Sequence, residues 1–269
     1  MSANETGRPV EATRGRFGGK VGVVVGAAPG SIGAAAALRL AAEGMSVLAA
    51  DIDSAGAERT VDEIQLSGGN AVAMRLDLAD DDSVRGVIDE ACFRYGGLDY
   101  LVNSAMTRER RDEDLDVVST PIEVWRRVLE VNLLGYVRTA REAIPQMIER
   151  GGGAIVNLTT GSERASSQRL VAYMSSKSAI TALTRNTAIA FGPHGIRANA
   201  VCPGPTVTSN MLAANTDAFV SSAVQRSPQR RLGEPQDIAG TIAYLLSDDA
   251  AMIAGEVIYV DGGLGINRG

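Results

Sequence analysis

Short apolar runs alternate with amphipathic stretches along this chain. The first run, Lys20-Val21-Gly22-Val23-Val24-Val25-Gly26, is valine-rich and suits a strand buried on both faces. A turn over Ala27–Ser31 leads into an alanine-rich helix from Ile32 to Glu43, which Gly44 ends as a C-cap would. A second run, Ser46–Ala50, stops at Asp51. A polar helix then reaches Leu66, and a third strand, Ala71–Leu76, ends at Asp77-Leu78. The pattern continues with a helix over Asp81–Tyr95 and a strand over Leu98–Asn103. The charged run Arg108–Asp116 reads as a solvated loop, followed by helices across Pro121–Glu149 and a strand over Ala154–Leu158. A helix carries Tyr173 through Phe191, and a strand covers Arg197–Val201. Then come a loop with short helical pieces, a helix over Gln236–Leu246 and a last strand, Glu256–Val260. Repeated βα units of this length predict an α/β fold with a parallel, doubly wound sheet. No linker or internal repeat interrupts it, so residues 17–269 read as one domain.

Composition narrows the function classes. The 269 residues are 45% hydrophobic, with no uninterrupted apolar run long enough for a bilayer. The opening MSANETGRPVEATRGRF lacks the apolar stretch of a signal peptide, so residues 1–16 are expected to be a disordered tail and the protein cytoplasmic. A net charge of −6 with interspersed signs gives no footprint for nucleic acid. Cys92 and Cys202 lie far apart, and His194 is the single histidine, in a Gly-Pro-His-Gly turn. Histidine-based triads and ordinary zinc sites therefore lose their support, and no metal is expected.

The acid/base group must then be sought elsewhere. Tyr173 and Lys177 are four apart on a predicted helix and share a face. A phenol ionises near pH 10, and a neighbouring ammonium lowers that value, making it a usable acid/base at neutral pH. Alone, such a pair is more often two solvated side chains. Its setting decides the matter. The stretch Gly26 to Gly33 follows the first strand and opens the first helix, where glycines let the backbone approach a pyrophosphate met by helix N-terminal amides. Asp51 ends the second strand, placed to accept hydrogen bonds from an adenosine ribose. No arginine or lysine lies in the glycine loop or directly after Asp51 to receive a 2′-phosphate, which favours NAD over NADP.

With these pieces in order, the chain resembles the short-chain dehydrogenase/reductase family across nearly everything after Phe17. The stretches that carry the resemblance include GKVGVVVGAAPGSIG, AADID, GGLDYLVNSA, VNLLG, YMSSK, GIRANAVCPGPTVT and AGEVIYVDGG. The resemblance implies a Rossmann-type sheet of order 3-2-1-4-5-6-7, hydride exchange between NAD(H) and an alcohol or ketone carbon of a small to medium substrate, and a homotetramer. It makes Tyr173 the acid/base, Lys177 the residue that lowers its pKa and binds the nicotinamide ribose, Asn132 the support of a relay water, and Thr160 the hydroxyl facing the substrate oxygen. It assigns Gly26, Gly30, Ser31, Ile32 and Gly33 to the phosphates, Asp51 and Ile52 to the adenosine ribose, and Asp77 and Leu78 to the adenine. Asn103, Ser104 and Ala105 would pass beneath the cofactor, with Pro203, Gly204, Thr206 and Thr208 by the nicotinamide. Met106, Ser162 and Met211 are the candidate substrate contacts.

Three departures from the family pattern stand out. Val25 replaces the usual threonine before the glycine loop, which also has one extra residue, so either Ser31 or Gly30 takes the middle glycine's place. Met106 stands where glycine is usual, and Thr160 replaces serine. Two alternatives accompany this reading. One is a non-catalytic NAD-binding regulator on the same fold. The other is enoyl reduction, since Gly-Ser-Ile-Gly is similar to the loop of enoyl reductases, although those use a longer Tyr-to-Lys spacing.

Overall fold

The computed structural model describes residues 15–107, 111–161, 168–214 and 216–266. Seven strands form one parallel sheet in the order β3-β2-β1-β4-β5-β6-β7. They are β1 (Val21–Val25), β2 (Ser46–Asp51), β3 (Asn70–Arg75), β4 (Tyr100–Asn103), β5 (Gly153–Leu158), β6 (Ile196–Pro203) and β7 (Val257–Val260). The expected order is the observed one. The sixth strand runs further than Val201 because Cys202 and Pro203 continue its pairing with Tyr259 and Val260 of β7.

The period of two along β1 explains the layering. Val24 faces one core, shared with α1 (Ile32–Ala42), α2 (Ser54–Leu66) and α9 (Pro235–Leu246). Val23 and Val25 face the other, shared with α3 (Asp81–Tyr95), α5 (Gly135–Glu149) and α6 (Val171–Phe191). Local chemistry sets the helix starts. Ser31 caps α1, Asp53 caps α2, Asp80 caps α3, and Glu234 with Asp237 forms a capping box on α9. No described helix is long and apolar enough to cross a membrane.

Residues 1–14 of the expected tail lie outside the described residues. Arg16 is held rather than loose: its guanidinium pairs with Glu43 at 3.5 Å. Phe17 follows, 1% exposed and edge-on to Tyr100.

Three features bear on the site. The helix α4 (Ile122–Leu129) does not end before α5 but passes through a π-helical turn, Glu130–Leu134. The loop between β6 and α9 holds α7 (Ser209–Ala214) and α8 (Asp217–Arg226). Between the central strands runs a buried polar ladder. The Thr139 hydroxyl donates to Asn103 Oδ1 (2.9 Å), Asn103 Nδ2 to Asn157 Oδ1 (3.0 Å), and Asn157 Nδ2 to the Thr184 hydroxyl (3.0 Å).

Candidate active site

The carboxyl end of the sheet bears a trough formed by two adjoining cavities. The first, of about 390 Å³, begins at the glycine loop. Gly26 has φ +87°, and a Cβ there would lie 2.7 Å from the Ala105 nitrogen. Gly33 sits in the first turn of α1, where a Cβ would meet the Gly26 carbonyl oxygen at 2.2 Å. The backbone packs this closely only with glycine. The Ser31 hydroxyl accepts from Ala34 N at 2.9 Å and donates to Gly26 O at 2.8 Å. Ser31 is thus the N-cap of α1, preceded by Gly30 at φ +74°. Ser209, at the start of α7, donates its N–H to Gly30 O (3.2 Å), so this segment lies against the loop.

Asp51, Ile52, Asp77, Leu78, Ser104 and Ala105 line the same cavity. The Asp51 carboxylate is fixed by two backbone donors, Ala28 N at 2.9 Å and Asp53 N at 3.0 Å. Asn103 does not join them. It is fully buried, and both ends of its amide are engaged in the polar ladder, because the pleat turns it away from the trough. These residues fit a dinucleotide: glycine-cleared backbone, a helix N-terminus and a strand-end carboxylate.

The second cavity, of about 220 Å³, is lined by Ile32, Thr160, Tyr173, Lys177, Pro203, Gly204, Thr206, Thr208 and Met211. Ser31, Ser104 and Met106 line both cavities, so the two adjoin there. Thr160 follows β5 without a hydrogen bond among the described residues, leaving its hydroxyl available. Thr206 is buried and donates to Gly204 O at 2.9 Å, whereas the Thr208 hydroxyl accepts from Met211 N at 3.1 Å. Ser162 lies outside the described residues.

Lys177 is 2% exposed and donates to the Leu158 carbonyl at 2.9 Å and the Tyr136 hydroxyl at 3.3 Å. Burial holds its amine far below the ordinary lysine value, at about 7. Asn132 lies within the π-helical turn, a feature common at functional sites. Its Oδ1 accepts from Thr107 N (2.8 Å) and its Nδ2 donates to the Ser176 hydroxyl (3.2 Å), which donates to Tyr173 O (2.7 Å). This side chain, expected to support a relay water, ties the loop after β4 to the turn of α6 between Tyr173 and Lys177.

A family model described as "Enoyl-(Acyl carrier protein) reductase" matches residues 26–265. A short-chain type dehydrogenase/reductase of Bradyrhizobium diazoefficiens is 40% identical over 251 residues, covering 93% of this chain and 89% of the relative. The cyclohexanol dehydrogenase of Acinetobacter sp. is 34% identical over 249 residues, 92% of this chain and 95% of the relative. A solved 7 alpha-hydroxysteroid dehydrogenase, complexed with NADH and 7-oxo glycochenodeoxycholic acid, superposes with a TM-score of 0.87 at 33% identity, covering 92% of this chain and 95% of that one. The chain belongs to the short-chain dehydrogenase/reductase family. It is accordingly an oxidoreductase that moves hydride between NAD(H) and an alcohol or ketone carbon.

Within that family frame, two residues of the site escape sequence reasoning. Asp114 belongs to the charged run expected to be a solvated loop, yet it is 1% exposed. Its carboxylate accepts from the backbone N–H groups of Ala172 and Tyr173, both at 2.9 Å. The helix needs this, because Leu170 precedes it at φ +68° and gives no side-chain cap. An acid among acids carries no sequence signal for such a role. The second is Tyr136, fully buried, with its hydroxyl donating to Ala105 O at 2.9 Å. Its position one helical turn after Asn132 was the signal available.

Proposed function

We propose that this enzyme oxidises secondary alcohols carried on a ring, and reduces the matching ketones, with Tyr173 as acid/base. The carrying observation is that Tyr173 and Lys177 line one cavity together with the uncommitted hydroxyl of Thr160. The ring preference rests on relatives whose names are cyclohexanol and hydroxysteroid dehydrogenases. Met106 and Met211, adaptable apolar side chains, border the same space and suit an apolar ring.

The glycine loop, Asp51 and Lys177 would hold NAD, which when bound supplies the hydride acceptor. Thr160 and Tyr173 orient the alcohol oxygen by hydrogen bonds. In oxidation the Tyr173 phenolate, stabilised by the Lys177 ammonium, accepts the hydroxyl proton and becomes the neutral phenol. Reduction reverses these roles. Asn132 acts here by fixing the turn that carries both groups.

We further propose a cytoplasmic homotetramer. Ile122 on α4 and Ile189 on α6 are 57% and 80% exposed, and an interface over these helices would cover them. A monomer mass by light scattering at micromolar concentration would refute the assembly.

The deciding test is a panel of cyclic and open-chain alcohols and ketones, with an enoyl thioester included, followed by NADH absorbance. Turnover of a cyclic alcohol by the wild-type protein, lost on the order of 10²–10⁴-fold in Tyr173→Phe, is expected. Turnover of the enoyl thioester alone would move the reaction to C=C reduction, and tight NADH binding without any turnover would favour a non-catalytic role.

A further inference from the structure

We propose that Tyr136 is a positioning residue for the proton transfer: its hydroxyl clamps the Lys177 ammonium while its own proton is tied to the Ala105 carbonyl. The inference rests on the reading of Tyr173 and Lys177 as the proton-handling pair. Tyr136 projects from α5, and Lys177 from α6, into one buried space beside the loop after β4.

The geometry fixes which way each proton points. Tyr136 donates to Ala105 O at 2.9 Å, so toward Lys177 it presents only a lone pair, and Lys177 Nζ donates to it at 3.3 Å. A second proton of Nζ goes to Leu158 O at 2.9 Å. The ammonium is left with one N–H for the cavity that it lines. Nζ also lies 4.9 Å from the centroid of the Tyr136 ring, within cation–π range.

A fixed acceptor favours the ammonium over the neutral amine, because hydrogen bonds from a charged donor are the stronger ones. Tyr136 stays a neutral acceptor, since burial pushes its phenol well above the ordinary value, and the nearby Tyr173 adds to this. Among the described residues, the titratable groups about Lys177 are Tyr136 from α5 and Tyr173 from its own helix. β5 contributes a carbonyl, and burial alone accounts for the lowered amine. Tyr136 therefore opposes that burial and keeps Lys177 charged where Tyr173 needs it.

The test uses a convenience of the sequence, which has two lysines, Lys20 and Lys177. In protein carrying 13Cε-lysine, NMR should show two titrating signals, with Lys20, paired to Asp99 at 3.2 Å and part-exposed, as the internal control. In Tyr136→Phe, which keeps the ring, the Lys177 midpoint should fall by about one pH unit, the tenfold change expected of a lost hydrogen bond to a charged group. The rising limb of kcat/KM for alcohol oxidation should move to higher pH by a similar amount. Tyr136→Met, which removes both ring and hydroxyl, should shift the midpoint at least as far. It probes the same clamp independently should the Phe variant fold poorly. A folded variant of either kind whose Lys177 midpoint equals the wild type's would overturn the proposal, even if its melting temperature or turnover fell. The lysine titration needs no substrate, so absence of alcohol turnover would count against the proposed function and leave this test in force.

Discussion

The Asp114 carboxylate accepts the backbone N–H of Tyr173 at 2.9 Å, across 59 positions of sequence. A neighbouring N–H, from Ala172, meets its other oxygen. One side chain from a loop thus does for α6 what a local N-cap does for α1. Asp114→Ala should destabilise the fold by about 1–3 kcal/mol, the range for a lost cap or a charge-assisted hydrogen bond. It should also lower kcat more than it raises the KM for NAD, because the freed turn carries Tyr173. Asp114→Asn, which keeps one acceptor, should fall between. Urea unfolding together with steady-state kinetics of the two variants checks this ordering.

Lys177 costs the cofactor-free fold stability. Its amine sits at about 7 in the folded chain against an ordinary 10.5. Between those values the unfolded chain binds the extra proton, so this site's contribution to unfolding free energy rises with pH. Below about pH 7 the burial penalty is fully present. Lys177→Met should therefore stabilise the protein, on the order of a few kcal/mol below neutrality and progressively less toward about pH 10, while abolishing turnover. Thermal melts of both proteins across that range should show the gap closing; a constant gap would contradict the lowered amine.

Asp51, held by Ala28 N and Asp53 N, places a carboxylate at the end of β2, and in the proposed cofactor pose a 2′-phosphate would lie beside it. Two like charges at about 4 Å and an effective dielectric near 20 repel by up to about 4 kcal/mol. NAD should be preferred to NADP by at least about tenfold in kcat/KM, and Asp51→Ser should shrink that ratio mainly by weakening NAD and admitting NADP. Paired kinetics with both cofactors measure it. Equal use of the two by the wild-type protein would remove Asp51 from this role.

Gly33→Ala places a Cβ 2.2 Å from the Gly26 oxygen, which is backbone and cannot step aside alone. Overpacking of this kind costs about 1–3 kcal/mol. The loop should shift, and NADH affinity measured by fluorescence titration should fall by at least about tenfold. Gly68→Ala makes a useful control for general glycine effects, since no atom lies within 4 Å of its Cβ and only its φ of +82° is strained.

The sheet was legible because its central strands are buried apolar runs and several helices start at capping residues, both local signals. The placement of Asp51, Tyr173 and Lys177 around the trough was legible for a related reason: each lies at a fixed offset from a strand end or a helical turn. What escaped depends on distant partners. Nothing near Asp114 marks it as the cap of a helix that begins at Val171. Asn132 was singled out through the family resemblance, but its engagement with Thr107 and Ser176 became visible only when three segments met. Asn103 was placed beneath the cofactor through the family resemblance, while its side chain is engaged in the interior with Asn157 and Thr139.

The ladder of Thr139, Asn103, Asn157 and Thr184 works as an alignment mark between the two halves of the enzyme. Asn103 and Asn157 are register partners on β4 and β5, the strands that lead into Ser104–Met106 and Thr160 at the trough. A slip of one residue would move one strand by about 3.3 Å against the other and orphan the buried amides. The loops that shape the substrate end can therefore vary in length and sequence while the nucleotide half and the catalytic half stay in step.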